Sequence, residues 1–179
     1  FYHDGYEYIR DVLGDNVIRI RFKPIYNMSF EQAVELQSVI NEYSTNALAG
    51  IPFGASEYDK VKYIYEYIYY TTEYDEEASY NQTVCSVALE GKTVCLGYAR
   101  AFQYLLNEVG VNSSVVIGSV KEGEGHAWNL VQLNGQWYHL DATWDDQVNR
   151  IIYKYFLLSG PKMGYSSWGN YKNVVTMAT

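Results

Sequence analysis

Positive charge is scarce in this sequence. Lysine and arginine together number 13, against 21 aspartates and glutamates, which gives a formal net charge of -8 at pH 7 and a pI near 4.8. No cluster of basic residues stands out along the chain. Proteins that bind nucleic acid need a basic surface that neutralises phosphates, so we expect no nucleic-acid partner.

Long apolar runs, repeats and cofactor motifs are also missing. A membrane-spanning helix needs roughly 18 or more apolar residues in succession, and no stretch approaches that length, so we expect no transmembrane segment. No nucleotide, flavin or metal motif is present, and no cofactor is predicted. The sequence given begins at Phe1 and not at a methionine, and we expect no signal peptide within it. We expect a fragment, such as a part of a larger cell-surface protein.

What the sequence does contain is typical of a globular protein. Hydrophobic residues make up 48% of the chain and charged residues 19%. At 179 residues, the chain is long enough to bury one sizeable core. Tyrosine is unusually frequent, with 20 copies. This acidic, tyrosine-rich composition favours an extracellular or cell-surface location.

The first part of the chain shows mainly helical periodicity. Ser29 and Gln32 have the spacing of a capping box and predict a helix over residues 30–48. Ser56 is the expected N-cap of a second helix. Further patterns predict a loop over 74–83, a short helix over 84–89 and a helix over 95–109 that ends at Gly110. The predicted inward stripes are Ala33, Leu36, Val39/Ile40 and Tyr43 in the first helix, Val61, Ile64, Tyr65 and Ile68 in the second, and Ala99, Phe102, Leu106 and Val109 in the last.

Alternation with a period of two predicts strands. Residues 17–22 place three apolar side chains on one face and two arginines on the other, which indicates a half-buried strand that ends at Pro24. Asn134-Gly135 is typical of a type I′ hairpin turn. The tail after Pro161 is expected to be mostly irregular. The other predicted strands lie near residues 114–120, 126–133, 136–141 and 152–158.

Helices that precede strands favour an α+β fold with an antiparallel sheet. We expect residues 1–52 to form an accessory strand and helix that pack on a core of residues 53–179. No linker separates the two parts, so the prediction is one compact domain overall.

Cys95 is placed where a thiol becomes reactive. The free N–H groups and the positive dipole end of a helix N-terminus stabilise a thiolate, which is the nucleophilic form of cysteine. Gly97 follows two residues later, and a glycine there would let a substrate backbone approach. The alternative for any free cysteine is a small buried apolar residue, and we keep that interpretation for Cys85.

The Asn-Gly turn brings a histidine toward a carboxylate. In a hairpin closed at 134–135, positions whose numbers sum to about 269 face each other. His126 would then lie opposite position ~143 and within a diagonal pair of Asp141. Asp141 would fix the imidazole tautomer and leave the other ring nitrogen toward a thiol. Cys95, His126 and Asp141 are thus the parts of a Cys-His-Asp catalytic set.

Two alternatives stay open at this point. Cys85 and Cys95 could form a disulfide in an oxidising compartment, which would remove the nucleophile. His139 shares a strand face with Asp141, so His126, His139 and Asp141 could form a two-histidine, one-carboxylate metal site. The metal site would leave Cys95 at a helix start without an explanation.

Three motifs, in order, resemble a known family. They are Gly-Lys-Thr-Val-Cys-Leu-Gly-Tyr-Ala around Cys95, His-Ala-Trp-Asn from His126, and Trp-Tyr-His-Leu-Asp-Ala-Thr-Trp-Asp-Asp around Asp141. Over roughly residues 58–158, this pattern resembles the transglutaminase-like superfamily in its bacterial, cysteine-protease-like branch. The resemblance implies a papain-related fold in which the cysteine starts a helix and the histidine and aspartate lie on adjacent strands.

The resemblance also implies residue roles. It makes Cys95 the nucleophile, His126 the general base and acid, and Asp141 the group that orients the imidazole. Other residues match motif positions that shape the site: Trp128, Asn129 and Trp144.

An oxyanion hole needs a second donor beside the Cys95 backbone N–H. No motif identifies that donor, and Tyr80 is our candidate because it lies in the expected upstream stretch, together with Asn81 and Gln82. An aromatic cleft for an extended peptide is also expected, with the lining Tyr74, Tyr80, Trp128 and Trp144.

The expected chemistry is acyl transfer through a thioester. If water resolves the acyl-enzyme, the protein is a peptidase or amidase, and if an amine does so, it is a cross-linking transglutaminase. We favour hydrolysis of an extracellular or cell-wall peptide, because the bacterial branch that the chain resembles is protease-like. A non-catalytic surface-binding domain with the same fold is the alternative, and the intact Cys-His-Asp set argues against it.

Overall fold

A computed structural model of the chain describes residues 3–26, 28–120, 124–145, 151–159 and 166–167. The chain forms two compact units, Phe1–Val39 and Ile40–Thr179. The division falls inside the first helix, whereas the domain boundary expected from the sequence lies after residue 52. That boundary stays a prediction.

The first unit contains a long antiparallel hairpin of β1 (His3–Leu13) and β2 (Asn16–Tyr26). The prediction of a half-buried strand that ends at Pro24 is wrong on both counts. Ile20 and Phe22 are 64% and 58% exposed, and β2 continues through Pro24, which pairs with Tyr6. A two-stranded ladder has an open edge on each strand, where a residue without an N–H is tolerated. The partner strand β1 was not predicted.

Five helices follow the hairpin in the described residues, and two begin with the predicted caps. Ser29 and Gln32 form the capping box, because each backbone N–H donates to the other residue's side chain, at 2.9 and 3.2 Å. Ser56 Oγ accepts from the N–H of Asp59 at 3.1 Å. The helices are α1 (Phe30–Leu48), α2 (Glu57–Thr71), α3 (Val84–Glu90), α4 (Cys95–Glu108) and α5 (Ala142–Asp145).

The second unit contains a four-stranded antiparallel sheet in the order β7-β6-β5-β8. The turn between β6 and β7 has positive φ at Asn134 (50°) and Gly135 (80°), as a type I′ turn requires. The predicted register is confirmed, since Leu133 pairs with Gln136. The strands are β5 (Ser113–Ser119), β6 (Gly125–Leu133), β7 (Gln136–Leu140) and β8 (Ser166–Ser167), and a separate parallel pair joins β3 (Glu73–Tyr74) to β4 (Lys92–Thr93).

The strand predicted over 152–158 does not form. Tyr153 and Leu157 have positive φ, 53° and 51°, which interrupts an extended chain. Only Leu158 forms a bridge, to His139. The apolar residues that suggested a strand pack as side chains instead, such as Phe156, whose ring contacts Tyr65 at 4.9 Å. Most of the tail after residue 161 lies outside the described residues, but β8 shows that it is not wholly irregular.

Helix α4 lies at the centre of the second unit. It contacts β5 and β6 of the sheet and also α2, α3 and α5. The predicted stripe of α2 is buried, as shown by Ile64 at 0% exposure, and so is that of α4, as shown by Phe102 at 0%, except for Val109, which is half-buried and follows the last residue of the helix. The resulting arrangement of helices packed on an antiparallel sheet is the predicted α+β fold.

Candidate active site

The first turn of α4 presents Cys95 at the helix N-terminus. Val94 occupies the N-cap position with an extended backbone (φ -105°, ψ 178°) and no side-chain cap. The Tyr98 N–H donates to the Val94 carbonyl at 3.0 Å, and this bond forms the first helical turn, which contains Cys95. The side chain of Cys95 is partly exposed. A thiol at this position experiences the positive end of the helix dipole.

A small polar network fixes the chain before the nucleophile. Thr93 is fully buried, donates to the Asn81 carbonyl at 2.5 Å and accepts from Ser86 Oγ at 2.8 Å. The Val94 N–H donates to the same Asn81 carbonyl at 3.0 Å. This network attaches the loop before α3 to the start of α4 and thereby sets the position of Cys95.

Gly97 serves this network, which corrects its predicted role. A Cβ at Gly97 would lie 1.7 Å from Thr93 Oγ1 and 2.8 Å from the Asn81 carbonyl oxygen. The missing side chain therefore makes room for the chain's own Thr93 and Asn81, and not for the backbone of a substrate.

The histidine and the carboxylate come together as the hairpin register predicts. His126 Nε2 lies 2.6 Å from Asp141 Oδ2, and Asp141 is completely buried. The other carboxylate oxygen, Oδ1, accepts from the N–H groups of Thr143 at 3.0 Å and Trp144 at 3.4 Å. Asp141 thus caps α5 while it holds His126, so its orientation is set by backbone donors.

His126 is held in its charged form. Burial on its own lowers the pKa of His126, but hydrogen bonds to Asp141 and Cys95 and the negative charges of both groups outweigh burial and raise the pKa to about 9. The Nε2 atom is engaged by Asp141, which leaves Nδ1 for the thiol. An imidazolium beside Cys95 stabilises its thiolate.

A cleft of about 200 Å³ opens at these residues. Of the four aromatic residues expected in it, Tyr74 and Trp144 line the cleft. Tyr80 is not among the lining residues; it is 40% exposed and has a left-handed backbone (φ 54°). Trp128 is buried below the surface. Among the described residues, the lining comprises Tyr74, Cys95, Val120, Glu124, Gly125, His126, Thr143 and Trp144.

Tyr74 presents a neutral hydroxyl to the cleft. Burial, followed by the negative charges of Cys95, Glu76 and Glu124, raises the pKa of Tyr74 above its ordinary value. Tyr74 and Cys95 line the same cleft. A tyrosine that keeps its proton can donate a hydrogen bond.

The remaining motif residues support the site from within the sheet. Asn129 Nδ2 donates to the Ala99 carbonyl at 2.9 Å and so connects β6 to α4. Trp128 Nε1 donates to His139 Nδ1 at 2.8 Å. His139 therefore faces Trp128, and the described residues contain no group of three or more His, Cys, Asp or Glu side chains that could hold a metal ion. The geometry gives the predicted metal alternative no support.

The two cysteines are separate thiols. Cys85 is buried in α3, in agreement with its interpretation as a small core residue, whereas Cys95 is accessible.

In the part of the chain that the structure describes, no helix is both long and apolar enough to cross a membrane.

Sequence reasoning missed several residues of the site. Thr93 and Thr143 each lie within two residues of a predicted catalytic group, so proximity in sequence was an available signal. Glu124 reaches the site through a loop, and no periodic pattern marks it. Asn81 lies in the stretch expected to supply an oxyanion donor, but it acts through its backbone carbonyl, which accepts from Thr93.

Comparison with known families identifies the family and the fold of this chain. The sequence profile of the transglutaminase-like superfamily matches residues 49–142, which is just over half of the chain and includes Cys95, His126 and Asp141. The chain belongs to the transglutaminase-like superfamily. This transglutaminase-like chain also shares 31% identity over 127 residues with the kyphoscoliosis peptidase of Mus musculus, and 30% over 120 residues with that of Homo sapiens.

These matches cover 62% and 58% of the chain but only 19% and 18% of the two peptidases. The chain therefore spans about a fifth of the length of the curated relatives that it matches. Among solved structures, a TGase superposes with a TM-score of 0.53 at 25% identity, over 65% of this chain and 34% of the TGase. A Cytophaga hutchinsonii protein described as a candidate cysteine protease superposes with a TM-score of 0.52 at 18% identity, over 79% and 47% of the two chains. The second similarity concerns the fold alone.

Proposed function

We propose that this transglutaminase-like chain catalyses thiol-dependent acyl transfer on peptide amide bonds, with Cys95, His126 and Asp141 as the catalytic set. The observation that carries the proposal is the 2.6 Å contact between His126 and the buried Asp141, in a cleft that also exposes Cys95. A buried carboxylate on one imidazole nitrogen and a thiol on the other form the arrangement that nucleophilic cysteine catalysis needs.

Cys95 and His126 each act in a defined step of the reaction. The Cys95 thiolate attacks the carbonyl carbon of the amide, and a C–S bond forms as the carbonyl oxygen becomes an oxyanion. The His126 imidazolium then gives its proton to the leaving nitrogen, the C–N bond breaks, and a thioester remains on Cys95. In hydrolysis, neutral His126 takes a proton from water, and the hydroxide displaces the thiolate.

The oxyanion needs two preorganised donors. The backbone N–H of Cys95, at the start of α4, is one. We propose Tyr74 as the second, in place of Tyr80, because Tyr74 lines the same cleft as Cys95 and its raised pKa keeps the hydroxyl protonated. Loss of one such donor typically costs about 10²–10³ in kcat.

Hydrolysis is the proposed outcome, on an extracellular or cell-wall peptide. The relatives in mouse and human are named peptidases, which supports hydrolysis. One solved neighbour is a TGase, so transfer to an amine is the second candidate. The two outcomes share every step up to the thioester and differ only in the group that resolves it.

The test combines a thiol-directed activity probe with a product assay. Wild type and Cys85→Ala should both react with the probe, whereas Cys95→Ala should not. The reactive proteins are then incubated with a glutamine-containing peptide library and a labelled primary amine. Cleaved or deamidated peptide as the main product supports hydrolysis, and labelled peptide as the main product replaces it by transglutamination. An unreactive Cys95 without either product would favour a binding domain.

A further inference from the structure

His139 has no step in the proposed chemistry, yet it is one of the most deeply buried side chains. It lies in β7, is 1% exposed, and accepts a hydrogen bond from the equally buried Trp128. The accepting atom is Nδ1, so this bond requires a neutral imidazole with its proton on Nε2. The position of the acceptor is fixed by the backbone, because His139 exchanges hydrogen bonds of 2.8 and 2.7 Å with Leu158.

The indole of Trp128 lies between the two histidines. Its ring centroid is 6.1 Å from that of His126, with an angle of 17° between the ring planes, and 6.2 Å from that of His139. Positions 126 and 128 of β6 share one face of the sheet, which explains the nearly parallel rings. The imidazole of His126 therefore stacks along the indole of Trp128, and the Nε1–H of that indole donates to His139.

Apolar packing does not by itself set the plane of this indole. Val116 and Leu130 pack around Trp128, together with Trp137, Tyr155 and Leu158. Such contacts are non-directional, whereas a hydrogen bond from the indole N–H has a preferred line. The bond to His139 is thus a directional contact that favours one rotation of the Trp128 ring.

We propose that His139 is a positioning residue that orients the Trp128 indole and, through it, the imidazole of His126. A fixed indole face keeps the His126 ring in the plane in which Nε2 meets Asp141 and Nδ1 points to Cys95. The same face also stabilises the imidazolium. The kinetic consequence rests on the proposed function, but the placement of the rings does not.

The groups that act on the charge of His126 come from several elements. Asp141 faces it from the end of β7 and Cys95 from the start of α4. Glu124 and Tyr74 lie in the same cleft. None of these four groups is altered by a substitution at position 139, so a change in the titration of His126 would report on ring orientation.

The titration of His126 by NMR tests the proposal directly, because the chain has only three histidines. His139→Leu replaces the acceptor with an apolar side chain, and we expect it to lower the pKa of His126 by about one unit and kcat/KM about tenfold. His139→Asn keeps an oxygen near the place of Nδ1 and should stay within about threefold of wild type. Trp128→Phe keeps a ring but removes the N–H, and should resemble His139→Leu.

Two controls separate positioning from general loss of packing. Val116→Ala removes apolar contacts from the same cluster, so it should lower the melting temperature without moving the titration of His126. The double variant Trp128→Phe/His139→Leu should be no worse than the more affected single variant, because both remove one bond. An unchanged His126 titration in both His139→Leu and Trp128→Phe would overturn the proposal.

The outcomes also separate this inference from the proposed function. If His139→Leu does not fold, Trp128→Phe and His139→Asn decide the question with the same titration. A shifted His126 titration in a protein without any turnover would support positioning and reject the proposed chemistry. If every variant keeps full turnover and the wild-type titration of His126, the result would support the proposed chemistry and reject the positioning role of His139.

Discussion

Asp141 has all its polar groups engaged within the described residues. Its carboxylate binds His126 and caps α5, its N–H donates to the Tyr155 carbonyl at 3.0 Å, and its carbonyl accepts from the Tyr65 hydroxyl at 3.3 Å. A residue held at both backbone and side chain has little freedom to change its orientation. The contact of His126 with Asp141 is therefore determined by the fold.

Asp141→Asn keeps this shape and changes only the chemistry. The amide would present an N–H to His126 Nε2, which forces the imidazole proton onto Nδ1, the nitrogen that faces Cys95. We expect kcat to fall by about 10²–10⁴ while a measurable activity remains. Steady-state kinetics with a circular dichroism check of folding measures this. Wild-type turnover in the variant would show that Asp141 does not orient the imidazole.

The two thiols should differ sharply in reactivity. Cys95 is accessible, starts a helix and meets the His126 imidazolium, whereas Cys85 is 1% exposed. Because His126 remains protonated at mildly acidic pH, we expect iodoacetamide to modify Cys95 at least about tenfold faster than Cys85 at pH ~6. Peptide mass spectrometry after timed quenching gives both rates, and Cys95→Ala serves as the control. Equal rates would contradict the role of Cys95.

At the scale of elements, the sequence predicted the hairpin register and the helices that depend on neighbouring residues. The Asn134-Gly135 turn fixes the hairpin register, and the register alone brings His126 to Asp141. The bounds of α1 followed from its capping box and apolar periodicity, and the extent of α4 followed from apolar periodicity. Those parts of the site are therefore encoded by short stretches of sequence.

The elements that the sequence did not predict depend on distant contacts. Residues 152–158 have the composition of a strand, but tertiary packing around Tyr65 places them in an irregular segment with two left-handed residues. The network of Thr93, Ser86 and Asn81 joins three segments, and no periodicity marks such a junction. Tyr74 was predicted to line the cleft, and the pairing of β3 with β4 holds the short strand that carries it.

The start of α4 should tolerate no side chain at position 97. Gly97→Ala would place a Cβ against Thr93 Oγ1 and the Asn81 carbonyl, so we expect a loss of stability of about 2 kcal/mol or more and a much larger loss of activity. Gly110→Ala, beyond the other end of the helix, is the matched control. Its Cβ meets nothing within 4 Å, and the strained backbone (φ 76°) alone should cost about 1–2 kcal/mol. Similar kinetic losses in both variants would contradict this prediction.

At the scale of the whole molecule, family membership rests on the second unit. The profile of the transglutaminase-like superfamily begins at residue 49, so the hairpin of the first unit has no counterpart in it. Sequence composition predicted the globular α+β class of the chain, because apolar content and periodicity are global properties. It did not reveal the long exposed hairpin, since alternation in a strand looks the same whether or not a face is covered.

Global stability should depend on pH through His126. Its pKa is about 9 in the folded chain and near the ordinary histidine value of 6.5 in the unfolded chain. A raised folded-state pKa gives a stabilisation that is complete below pH 6.5 and is lost as the pH rises through about 9. We expect a decrease in unfolding free energy on the order of 3 kcal/mol across this window.

Urea denaturation at pH 6, 7.5 and 9.5 measures this decrease. His126→Gln should flatten the pH dependence, and the difference between the two proteins isolates this group from other titrations in the same range. A wild-type curve that rises from pH 6 to 9.5 would have the opposite sign and would refute the assignment.

The contact between Gly97 and Thr93 has a consequence for evolution. Because Thr93 Oγ1 occupies the space that a side chain at 97 would need, the two positions cannot be substituted independently. Among related chains, a residue larger than glycine two places after the nucleophile should occur only together with a smaller residue two places before it and a shifted backbone at the position of Asn81, whose carbonyl oxygen would lie 2.8 Å from the added Cβ. Free variation at the glycine position without these changes would mean that the relatives build the start of this helix differently.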